Sequence, residues 1–301
     1  MTADRPLLGI AFILGFCAVV PLGDATAKLL GASVPLVQVL LCRFAGQALI
    51  LLPVVALTGG SLTMPAHVLR IAFLRTLLHI AAMGTFFTAL RFLPLADATA
   101  ITFVLPFILL LLGWLLMGEE VGPRRIAACA AGFAGTLLVI QPSFAVVGWP
   151  ALLPLLVAGI FAGFMLLTRR IAKETDAVAL QAVSGLMATA LLVAGIALGA
   201  GSDLAILEFV RPTLREALLL AAVGVFGTIG HLLLTWSLRF APSATVAPMQ
   251  YLEIPVATFV GWAVFGDLPN GLAALGIAVT MGAGLYILMR ERIAARSLPA
   301  K

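Results

Sequence analysis

Long apolar runs alternate with short polar breaks along this chain. Ten runs stand out: Leu7–Ala27, Pro35–Leu57, Leu69–Leu90, Ala96–Met117, Arg125–Ile140, Pro150–Thr168, Val178–Gly199, Ala217–Leu238, Ala241–Phe265 and Leu272–Met289. A helix of about 20 apolar residues crosses a hydrocarbon core, so each run predicts one transmembrane helix, the fifth being the shortest. The breaks carry turn formers: Gly59-Gly60-Ser61, Gly118–Pro123, Gln141-Pro142-Ser143, Gly199–Ser202 and Gly266–Gly271. The longest connection, around Ser202–Glu216, is too short to hold a core of its own. The first run follows Arg5 and ends on Ala25-Thr26-Ala27, which resembles a signal-peptide cleavage site. Its length favours a retained helix.

Composition turns this pattern into a class. Of the 301 residues, 62% are hydrophobic and 10% charged, and the mean hydropathy is +1.17. A soluble domain carries about 45–50% apolar and about 25% charged residues. A water-soluble enzyme, a disordered regulator and a nucleic-acid-binding module are excluded. The expected fold is an all-α integral membrane protein of ten transmembrane helices. The net charge of +5 reads as orientation. With a cytoplasmic N-terminus, thirteen basic residues fall on the inner side and four (Lys28, Arg91, Arg211, Arg215) on the outer, with Arg43 inside the second run. Basic residues gather in cytoplasmic loops. Both termini are therefore expected in the cytoplasm, around a bacterial-type inner membrane. Cys17, Cys42 and Cys129 lie in apolar runs without metal-ligand spacing and read as core residues.

The chain also repeats. Leu90-Arg91-Phe92-Leu93-Pro94 is echoed by Leu238-Arg239-Phe240-Ala241-Pro242. In the same register Gly113-Trp114 meets Gly261-Trp262, and Gly118-Glu119 meets Gly266-Asp267. The halves divide as residues 1–145 and 146–301, with five helices each. An odd number of spans per half makes the second half insert upside down relative to the first. Inverted repeats are a signature of transporters, whose two halves exchange open and closed roles.

With these Leu-Arg-Phe-x-Pro turns, each leading into a Pro-containing helix that ends Gly-Trp-x-x-x-Gly-acidic, the chain resembles the drug/metabolite transporter superfamily, in its ten-helix branch with two EamA-type domains. Gln250-Tyr251-Leu252-Glu253-Ile254-Pro255 is similar to the ninth-helix stretch of many bacterial members, whereas the first half departs with Phe103-Val104-Leu105-Pro106. The resemblance implies a secondary transporter with a cavity between the halves, and export of amino acids or related metabolites. The alternative cargo is a nucleotide-like cofactor, a vitamin or a lipophilic cation, moved inward. A lipid flippase or membrane enzyme is the alternative of a different class.

Several residues could carry transport. Proline within a helix frees the carbonyl four residues back: Thr102 for Pro106 and Tyr251 for Pro255. Glu253 is a carboxylate inside the ninth run, where charge must face a cavity, a partner or a proton; it is a candidate for proton coupling or for binding a substrate amine, or it pairs with Arg43. Arg43, flanked by Gln38 and Gln47, could receive a substrate carboxylate. His79 shares a helix face with Arg75, which is expected near the cytoplasmic interface, and His231 precedes Thr235 by one turn. Phe103, Trp236, Tyr251 and Gln250 are lining candidates. Asp24 and Lys28, four apart, form a candidate outer gate and an i,i+4 pair. No phosphate-binding loop, metal motif or catalytic triad is present. No enzyme activity, cofactor, metal or nucleic acid is therefore expected. The expected partners are a small-molecule substrate and the lipid bilayer, with a proton as candidate coupling ion and a monomer as the expected state.

Overall fold

A computed structural model describes residues 5–118, 122–140, 148–199, 209–267 and 271–296. Among them the regular structure is helical throughout. The helices are α1 (Pro6–Leu30), α2 (Leu36–Leu57), α3 (Ala66–Ala89), α4 (Leu95–Thr102), α5 (Leu105–Met117), α6 (Pro123–Ile140), α7 (Leu153–Ile171), α8 (Ala177–Leu198), α9 (Leu214–Phe240), α10 (Ser243–Met249), α11 (Glu253–Phe265) and α12 (Gly271–Arg296). A 3₁₀ turn, Trp149–Leu152, leads into α7, and another, Gln250–Leu252, joins α10 to α11.

Among the described residues seven helices are long and apolar enough to cross a membrane, with α4 and α5 taken as one span over Leu95–Leu116. Among the described residues, Ile126–Gly135 in α6 and Ala274–Ala283 in α12 are shorter apolar stretches. In the ninth run the 3₁₀ turn divides the helix into pieces of 7 and 13 residues.

Capping fixes the ends. Asp176 accepts from the backbone N–H groups of Val178 and Ala179 to start α8, and Thr213 and Glu216 form a capping box that starts α9. Helices α5 and α11 both end on a left-handed glycine, Gly118 at φ +63° and Gly266 at φ +75°. Each donates its N–H to the carbonyl five residues back, Gly113 and Gly261. Only glycine takes this backbone without strain.

Packing runs across the middle of the sequence. Helix α1 lies on α9, α2 on α8 and α9, α3 on α7, and α6 on α12. The broken helices interlock, α4 against α11 and α5 against α10. The main core accordingly draws Phe16, Phe44 and Phe86 from one half and Phe161, Phe164 and Leu234 from the other. The outer faces carry exposed apolar side chains such as Leu49, Leu57, Phe73, Leu116, Leu198 and Phe259. A water-facing surface would not collect them.

Candidate functional site

The two helix breaks open onto one space. Helix α4 stops at Thr102, and α5 begins at Leu105 with Pro106 in its first turn. Helix α10 stops at Met249, and α11 begins at Glu253 with Pro255 in its first turn. Proline has no N–H to give the carbonyl one turn back, so each break starts its second helix without closing the ladder. Between the breaks lies a cavity of about 50 Å³. Thr99, Thr102 and Phe103 line it at the first break, Gln250 and Glu253 at the second. Phe16 and Asp24 of α1, Phe86 of α3, Phe161 of α7 and His231 of α9 close it.

The sharpest polar cluster stands beside this cavity. Arg43 is 2% exposed, and its Nη2 faces His231 Nδ1 at 2.8 Å and His79 Nε2 at 3.4 Å. A guanidinium only donates, so both imidazoles accept from it. His231 Nδ1 also lies 3.1 Å from the Gly227 carbonyl, and the shorter contact with Arg43 makes this nitrogen the acceptor and leaves the proton on Nε2. The two rings stack with centroids 4.2 Å apart and planes 29° from parallel. Phe44 meets His79 edge-on, and Phe164 lies 4.6 Å from it. Room for the guanidinium comes from Gly227, where a Cβ would sit 3.0 Å from Arg43 Cζ. The ion pair between Arg43 and Glu253 that the sequence allowed is not formed. A second space of about 20 Å³ is lined by Asp24, Arg43 and His231. It admits one water.

Other expectations need correction. Arg75 is fully buried among protein side chains. Its Nε donates to Thr168 Oγ1 at 2.7 Å and its Nη1 to Ser184 Oγ at 2.6 Å, and the guanidinium lies over the Phe164 ring. Asp24 does not pair with Lys28. Lys28 instead donates to the Leu93 carbonyl at 3.0 Å, stands 3.9 Å from Asp267 and covers the Phe265 ring, whereas Asp24 turns to the cavity. Trp236 is no cavity residue; it packs on Phe12 with centroids 5.3 Å apart. Tyr251 is locked behind the cavity. Its hydroxyl donates to the Cys129 carbonyl at 3.0 Å, and its ring fills the space that a Cβ on Gly132 would need. Gln38 clamps the chain entering α9, donating to the Val210 carbonyl and accepting from the Val210 N–H.

One network went unforeseen. Gln47 donates to Gln181 Oε1 at 3.0 Å, and Gln181 donates to Thr235 Oγ1 at 2.6 Å and to the His231 carbonyl at 2.7 Å. It ties α2, α8 and α9 together directly behind the Arg43 cluster. An amide inside an apolar run, as Gln181 is, was the available signal, since a buried amide must find partners. Among the described residues no three His, Cys, Asp or Glu side chains converge as metal ligands would.

A breach in two apolar helices beside a buried basic cluster is a transporter's geometry, and the wider comparison agrees. The model of the EamA-like transporter family matches the chain twice, over residues 7–141 and again over 148–290. The chain belongs to the EamA-like transporter family. This EamA-like protein is a multi-pass membrane protein of the drug/metabolite transporter superfamily. It is 33% identical to a riboflavin transporter of Rhizobium johnstonii over 70% of this chain and 68% of that one. It is 25% identical to an S-adenosylmethionine uptake transporter of Rickettsia bellii over 95% of this chain and 94% of that one. A solved crystal structure shares the EamA-like fold with a TM-score of 0.69 at 20% identity, covering 93% of this chain and 96% of the other.

Proposed function

We propose that the chain is a secondary transporter that takes up a vitamin- or cofactor-like organic molecule by alternating access. Ten spans form two inverted halves, residues 1–145 and 146–301, in a bacterial-type inner membrane with both termini cytoplasmic. The observation that carries this reading is the cavity itself. Both broken helices meet there, and side chains of both halves line it. Unwound backbone at mid-membrane is tolerated where it lines a cavity, and transporters place their sites there. The doubled family match and the shared Gly118/Gly266 helix ends support the repeat.

The cargo reading moves away from amino-acid export. The two named relatives carry riboflavin and S-adenosylmethionine in their descriptions, one of them as uptake. Both molecules are heteroaromatic with polar tails. Phe16, Phe86, Phe103 and Phe161 supply aromatic walls for such rings. At about 50 Å³ the cavity is far below the roughly 300–1,000 Å³ of a small-molecule site, so loading requires the two halves to move apart.

The test is uptake of labelled riboflavin and labelled S-adenosylmethionine into liposomes holding the purified chain. Saturable uptake of at least one is expected. No uptake of either overturns the cargo class.

A further inference from the structure

We infer that the cavity selects a positively charged cargo, with Glu253 as the counter-charge. The inference rests on the transport reading above and narrows its cargo.

Glu253 and Asp24 both line the cavity. Neither has a hydrogen-bond or ion-pair partner among the described residues. Asp24 has Arg43 across the small second space. Glu253 has no lysine or arginine facing it, and the one imidazole on the main cavity, His231, is already bonded to Arg43. A carboxylate in such surroundings stays charged only beside a cation.

The uncharged polar atoms point the same way. Gln250 is 1% exposed, and its Nε2 is spent on Met165 Sδ at 3.3 Å, which leaves its buried Oε1 with no partner. Thr99 Oγ1 and His231 Nε2 are also buried and unpartnered. All three residues line the cavity. Buried polar atoms are normally satisfied, so these three are free to bond a ligand in the cavity. Two carboxylates and an amide oxygen accept; against them stand one imidazole N–H and one hydroxyl. The ligand must therefore bring donors or positive charge. The phenylalanine walls complete the match, because ring faces attract cations, more strongly when water is excluded. Beside a neutral cargo Glu253 would take up a proton and its charge would go unused, and an anion would meet two acidic side chains.

S-Adenosylmethionine and S-adenosylhomocysteine test this, because they differ only by the methyl group that makes the sulfur a cation. Binding of each to the purified full chain is measured by calorimetry. Preference for the sulfonium by about tenfold or more is expected. In Glu253→Gln the preference should drop to about threefold or less, and Glu253→Asp should keep part of it. Should Glu253→Gln fail to fold, the unaltered chain still decides. Equal affinity for the two probes, or binding of neither, overturns the inference. Riboflavin uptake without a preference between the probes leaves the transport reading standing and removes charge selection. A preference in binding without uptake of any probe does the reverse.

Discussion

His79 and His231, from α3 and α9, stack with ring centroids 4.2 Å apart and share a single donor, Arg43 Nη2. The two bonds differ, 2.8 Å to His231 and 3.4 Å to His79, so the two rings should differ in worth. His231→Phe keeps a flat ring and removes the acceptor. A hydrogen bond to a charged group contributes about 1.5–3 kcal/mol, and a loss of that size is expected. His79→Phe should cost clearly less. Chemical denaturation of the two purified variants compares them directly, and equal losses would contradict the assignment.

Arg75 poses the opposite question, a buried cation held by two hydroxyls and a ring. Removing the hydroxyls strands the charge; removing the charge does not. Thr168→Val with Ser184→Ala should therefore destabilise by about 3–5 kcal/mol, the range for an uncompensated buried charge. Arg75→Met should cost less, because it fills the volume without needing partners. Thermal unfolding of both variants gives the order, and a larger loss for Arg75→Met would refute it.

Tyr251 lies flat on α6 because position 132 is glycine. A methyl group there overpacks the contact, at a cost of about 1–3 kcal/mol. Gly132→Ala should lose stability by that amount and disturb the second helix break. Adding Tyr251→Leu should restore part of the loss, because the smaller side chain gives the methyl room. Simple additivity in the double variant would show that the two positions do not touch.

At the far end of α1, Lys28 has three partners, and Asp267 is the loosest, 42% exposed and 3.9 Å away. Surface ion pairs contribute about 0–1 kcal/mol. Asp267→Asn should therefore barely shift unfolding, while Lys28→Met, which also loses the Leu93 carbonyl, should shift it more. If this contact closes an outer gate, Lys28→Met should also change the rate of uptake into liposomes. Indistinguishable uptake in that variant would leave the contact as packing only.

Much of the helix pattern was legible because apolar length and turn residues act locally. The runs ending at Leu57, Leu90 and Leu238 stop within two residues of the observed helix ends. Both breaks were legible too, at Pro106 and Pro255, because proline acts on its own helix. What escaped was the facing of side chains. Asp24 and Lys28 have the spacing of a pair, but the seating of α1 on α9 and α11 sends one to the cavity and the other to Asp267. Arg75 sits near the start of its run and reads as interfacial. Its burial depends on Thr168 and Ser184, 93 and 109 residues further on. Trp236 follows Thr235 in sequence, yet one step along a helix turns a side chain by about 100° and away from the cavity.

The packing of α2 on α9 has a consequence for how the protein is made. His231 follows Arg43 by 188 residues. At roughly 5–20 residues per second of synthesis, Arg43 enters the bilayer on the order of ten seconds or more before its stronger partner exists. Over that interval its guanidinium must borrow partners from lipid headgroups or from the insertion machinery. The nascent first half thus carries a cation whose set of partners is completed only by the second half.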